Sequence, residues 1–196
     1  MDAPEEWGRN PANQVVNPKK EEGAMDSYEF VLNFNLPQRE DDPDKYLDAL
    51  FEAGCDDALV GVGMHGMIGL DFKREASSAE EALRSAIRGV QAAIPGANLV
   101  QVGPDLVGLT DVAEIFGFTR QNMRKYATGQ LVTRQAFPAP VIVGEPGLWH
   151  LAEILSWLKT NTAVQPSDCV FEVSKVTAEI NHEVEAERLK RIRDLA

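Results

Sequence analysis

The chain has 196 residues, 44 % of them hydrophobic, and a formal net charge of −12. That length suits one large or two small units, and the hydrophobic share is too high for a wholly disordered chain. No apolar run approaches the ~18 residues of a membrane helix, and two isolated cysteines, Cys55 and Cys169, point to a reducing cytoplasm and away from a disulfide framework.

Charge is unevenly spread. Residues 26–104 carry 6 basic and 14 acidic side chains, a net of −8, whereas residues 105–160 carry 5 of each. Acidity therefore concentrates ahead of a neutral central segment. Residues 1–25 mix Pro, Gly, Asn and charge without an apolar period, which predicts a disordered tail; their polar, acid-bearing start is unlike a secretory or transit peptide.

Tyr28, Phe30, Leu32, Phe34 and Leu36 alternate, which predicts a strand with one buried face. Asp42-Pro43-Asp44 caps a helix expected to bury Tyr46, Leu47, Leu50 and Phe51 and to end at Gly54. Ala58 to Val62 predicts a second strand, Gly63 to Gly66 a turn, and Met67 to Lys73 a third strand alternating on Ile68, Leu70 and Phe72. Ser77 or Ser78 caps a second helix that buries Ala82, Leu83, Ala86, Ile87, Val90 and Ala93 and stops at Pro95-Gly96. Asn98 to Val102 is the fourth strand. The succession βαββαβ predicts an α+β chain with a ferredoxin-like unit over 26–104, its helices serving crossovers between parallel neighbours.

The pattern changes after Pro104. Thr110 is positioned to cap a short helix with Val112, Ala113 and Phe116 on its buried stripe, and Gly117 supplies a left-handed corner. Phe118 plugs that corner, and Thr119 caps a second helix that turns Met123 and Tyr126 inward. Thr119, Arg120, Gln121, Arg124 and Lys125 remain outward. Arginine can pair with guanine and glutamine with adenine in the major groove, while lysine and threonine can hold phosphates.

This stretch resembles the helix-turn-helix of the MerR-like superfamily, excisionase and AlpA-type regulators included. The residues that carry the resemblance are Leu109-Thr110, Val112-Ala113-Glu114, Gly117-Phe118-Thr119-Arg120 and Met123-Arg124-Lys125-Tyr126. Phe137-Pro138, a wing hairpin with its turn at Gly144 to Gly147, Leu148-Trp149-His150 and a helix over 151–158 follow in the family's order. The resemblance spans roughly residues 106–158 and implies a winged helix-turn-helix domain over 105–160, with Arg120, Gln121 and Arg124 approaching double-stranded DNA and Thr119 and Lys125 beside them. The wing, Gly144-Glu145-Pro146-Gly147, departs from the family pattern because it lacks a basic residue. Arg134 and Lys159 are the remaining candidates for backbone contacts. A neutral reader gains little phosphate attraction, so binding is expected to need a homodimer or several sites.

Other signals carry less. Gly61-Val62-Gly63-Met64-His65-Gly66 fits a dinucleotide fingerprint in spelling, but a strand follows it where a helix is required. His65, His150 and His182 lie in different segments with no ligand spacing, so no metal or other cofactor is expected. Asp41-Asp42-Pro43-Asp44 and Asp56-Asp57 fit solvated turns, and neither Ser77-Ser78 nor Cys55 has a base placed by sequence, which argues against an enzyme. Residues 161–196 hold a long charged helix from about 167 to 195, with Cys169, Val173, Val176, Ile180 and Val184 on a narrow stripe. That stripe serves equally a helix packed on its own domain or a dimer arm. The sequence thus points to a cytoplasmic DNA-binding regulator, as a repressor or autoregulating antitoxin with a toxin as partner. The alternatives are a protein-interaction adaptor and a small-molecule sensor built on the Gly61–Gly69 hairpin.

Overall fold

The computed structural model describes residues 25–38, 42–61 and 65–195. The expected tail over 1–25 lies outside them except for Met25, as do Gly63 and Met64 of the turn expected over 63–66. The described chain is α+β: a four-stranded antiparallel sheet, six α-helices and a two-stranded ladder.

Strand β1 (Asp26–Asn35) is central, with β3 (Met67–Ala76) on one side and β4 (Asn98–Gly103) on the other; β2 (Ala58–Gly61) pairs with the outer edge of β3. All three ladders are antiparallel. The parallel neighbours expected from the crossovers are therefore absent from this sheet: the strands that each helix connects are separated by a strand running the other way. Alternation decides which face is buried. Tyr28, Phe30, Leu32, Phe34, Ile68, Leu70 and Phe72 are buried, and Phe30 stacks on Phe72 with centroids 5.2 Å apart. Each such side chain contributes about 1.5–3 kcal/mol by leaving water. Glu29, Asp71, Lys73 and Glu75 occupy the opposite, solvated face.

Helix α1 departs from expectation. Asp42 accepts from the Asp44 amide at 3.1 Å, but the cap starts a 3-10 turn (Pro43–Tyr46) that gives only a short α-helix, Leu47–Glu52. Leu50 is buried, whereas Leu47 and Phe51 are exposed. Two turns offer one core-facing line, and Leu50 fills it. Helix α2 (Ala79–Ala93) follows the sequence more closely: Ser78 Oγ accepts from the Glu81 amide at 3.2 Å, and Ala82, Leu83, Ala86 and Val90 are buried, with Ile87 and Ala93 partly so.

The long helix α6 (Asp168–Arg193) lies beside α2 against β1 and β4. Val173 and Ile180 are buried in the same core as the sheet, with Cys169, Val176 and Val184 packed around them. Beyond Val184 the apolar residues Leu189, Ile192 and Leu195 are exposed. A second core gathers around Val112, Met123, Leu151, Ile154, Leu155 and Leu158 and belongs to the segment after Pro104.

Candidate nucleic-acid interface

Helix α3 (Leu109–Phe116) is capped by Gly108, two residues before the expected cap Thr110. The amide of Gly108 donates to Asp111 Oδ2 at 2.8 Å, so an aspartate three residues in satisfies an otherwise unpaired group. Val112 and Ala113 are buried, and Gly117 (φ 69°) ends the helix in the left-handed region. Its amide and that of Phe118 both turn back to Ala113, the latter at 2.9 Å.

Helix α4 (Arg120–Ala127) then starts at Thr119, whose Oγ1 accepts from the Asn122 amide at 3.1 Å. Met123 is fully buried, and Tyr126 packs edge-on to Trp157 at 5.0 Å and to Phe118 at 6.5 Å. These contacts fix the rotation of α4 about its axis. Arg120, Gln121, Arg124 and Lys125 consequently lie on its exposed side, with Thr119 exposed at the tip. Arg120 reaches back to Glu114 of α3 at 3.2 Å; the pair is exposed, so solvent screens it and either partner can be drawn away at little cost.

Tryptophans organise the segment that follows. Trp149 Nε1 donates to Pro138 O at 2.9 Å and Trp157 Nε1 to Gln135 O at 3.0 Å, while Phe137 sits edge-on to both rings. Arg134 is exposed on this tethered loop. Lys159 lies 3.3 Å from Asp168 at the start of α6, in a pair exposed enough for solvent to screen it.

The expected wing is a minimal hairpin: Ile142 and Leu148 form an antiparallel bridge, and the Val141 amide also donates to the Leu148 carbonyl, at 2.8 Å. Beyond it β6 (Trp149–His150) pairs with β5 (Leu106–Val107), a strand the sequence reading missed. Two-residue strands leave no alternation to detect. Helix α5 (Leu151–Asn161) follows directly. Val141, Ile142 and Val143 are exposed on the loop with Glu145 and no base.

Sequence reasoning also missed the junction between the two cores. Asp105, its side chain 3 % exposed, has Oδ1 2.6 Å from Nδ1 of His150, while Asn181 Nδ2 donates to Oδ2 at 2.8 Å. Asn181 also pairs with the edge of β4, receiving the Val102 amide and donating to the Val102 carbonyl, both at 2.8 Å. Thr177 Oγ1 donates to Pro104 O at 2.8 Å. The carboxylate that pairs with His150 lies 45 residues away in the chain, beyond the reach of local spacing. No group of three or more potential metal ligands occurs among the described residues, and both cysteines are free. No helix among the described residues is long and apolar enough to cross a membrane. Comparison with protein-family profiles, with characterised proteins and with solved structures finds no match to this chain.

Proposed function

We propose that the protein is a non-enzymatic, sequence-specific DNA-binding regulator, with α4 entering the major groove. One observation carries the reading: burial of Met123 and Tyr126 packing turn Arg120, Gln121, Arg124 and Lys125 to solvent on one side of a capped helix beyond a left-handed corner. Arg120 and Arg124, one turn apart, suit guanine edges, Gln121 suits adenine, and Thr119, Lys125 and Arg134 suit phosphates. The MerR-like resemblance and a winged arrangement over 105–160 belong to this proposal. So does a ferredoxin-like assignment of 26–104, which the strand order β2-β3-β1-β4 supports. A homodimer would present two α4 helices about 34 Å apart, matching half-sites one turn apart. An autoregulating antitoxin in the cytoplasm is the specific form we favour, by analogy with small acidic two-part regulators.

A second reading has an observation of its own. The loop in the wing position exposes Val141, Ile142 and Val143 and no base, which suits a protein-interaction adaptor better than a phosphate grip. Titration of the promoter duplex upstream of its own gene separates the two. Wild type should bind more tightly than to a scrambled duplex, with affinity falling as salt rises. The Arg120→Ala/Arg124→Ala double variant should bind at least about tenfold more weakly. Equal affinity for the promoter and the scrambled duplex would favour the adaptor.

A further inference from the structure

A cleft of about 850 Å³ opens where β4, the loop over 141–148 and α6 meet. Leu106, Ile142, Ala178 and Val184 line it with apolar surface. Its walls also carry Glu179, Glu185 and Arg188 with Gln101 and His182, so the lining does not match a ligand charge of one sign throughout. The volume falls in the range of small-molecule sites, which combine mainly apolar walls with a few placed polar groups.

His150 is the placed group. Its side chain is 34 % exposed at the cleft wall, and its Nδ1 faces the buried Asp105 carboxylate. A carboxylate can only accept, so Nδ1 carries the hydrogen, and in the neutral ring Nε2 is then a bare acceptor. Asn181 holds the other carboxylate oxygen, which prevents Asp105 from rotating away. The ring is thus fixed before anything binds, at small further cost in entropy.

We propose that this cleft binds an uncharged, mainly apolar small molecule bearing a hydroxyl, which donates to Nε2 of His150. The same tautomer leaves Nε2 with no hydrogen to offer an acceptor-only head such as an ether or a ketone. Ile142 belongs to the loop in the wing position, Leu106 to the β5–β6 ladder of the second core and Ala178 to α6 of the first, so an occupant would bear on how the α3–α4 unit sits against the sheet. That consequence for DNA rests on the proposed function; binding itself does not.

The test is a fluorescence titration of the full chain with 2-naphthol and, in parallel, 2-methylnaphthalene, without DNA. Saturable 2-naphthol binding at least about tenfold tighter than that of the methyl analogue is expected from one buried hydrogen bond. Ala178→Trp and Ile142→Trp, on opposite walls, should each weaken it at least about tenfold while keeping a cooperative melting transition. Ile142 is exposed, so its variant stays folded even if the first does not. Equal affinity for the two probes would overturn the His150 anchor. Binding indifferent to both tryptophans would place the molecule elsewhere. An absence of saturable binding would overturn the proposal, as would a dimer that either tryptophan splits into monomers, because a second copy would then own the cleft.

Discussion

Asp105 joins the two cores through three acceptor atoms. Its carboxylate meets His150 and Asn181, and its backbone carbonyl receives the Leu151 amide at 2.7 Å. Replacing Asp105 with alanine would leave the imidazole and the amide without that acceptor, at a position where the carboxylate itself is 3 % exposed. We expect a loss of about 2–4 kcal/mol in urea unfolding; a loss below about 1 kcal/mol would mean that water enters and substitutes. Arg120 presents the opposite case. Its ion pair with Glu114 is exposed on both sides, so Arg120→Ala should alter stability by no more than about 0.5 kcal/mol. A loss of DNA binding in the double variant would then report on recognition and not on folding.

Elements differ in what holds them. Helix α4 is oriented by one buried methionine, one aromatic cluster and a threonine cap, whereas α6 is held by a buried stripe and by polar ties along its length. One such tie is the Arg84–Glu183 pair between α2 and α6, at 3.0 Å. The Arg84 guanidinium holds the Glu183 carboxyl below its ordinary value. A lowered folded value means that the stabilisation is present above the ordinary carboxylate range and is lost as pH falls through the lowered value. Glu183→Gln should therefore be less stable than wild type at neutral pH by no more than about 0.5 kcal/mol, given the exposure of the pair. The difference should vanish in acid, as followed by urea unfolding at a series of pH values.

For the whole molecule, α6 decides whether the sheet has a closed core. Ile180 is 2 % exposed and shares the core of Phe30, Leu32 and Leu70. Ile180→Ala should cost about 2–4 kcal/mol through lost burial and the cavity left behind. Removing residues 189–196, whose apolar side chains are exposed, should leave the unfolding midpoint in urea nearly unchanged. A large loss on that truncation would show that the end of α6 is covered in solution. The same helix carries Thr177 and Asn181, which tie the sheet to the segment that bears α3 and α4. Damage to the α6 core should therefore also change how the candidate DNA-reading face is held.

Much of the local architecture was legible in the residues themselves. Period-two alternation gave β1 and β3 their faces, the Ser77-Ser78 pair and Thr119 announced helix starts, and Gly117 announced the corner, because such signals are written within a few neighbouring residues. The outward position of Arg120, Gln121, Arg124 and Lys125 follows from the same helical period. What sequence could not settle was pairing over distance. The antiparallel strand order, the exposure of Leu47 and Phe51, the shortness of the hairpin in the wing position and the β5–β6 ladder each depend on which partner wins in three dimensions. Asp105, His150 and Asn181 are unremarkable in their own segments and meet only when both cores and α6 are assembled, since a buried polar group must find its partner wherever folding brings one.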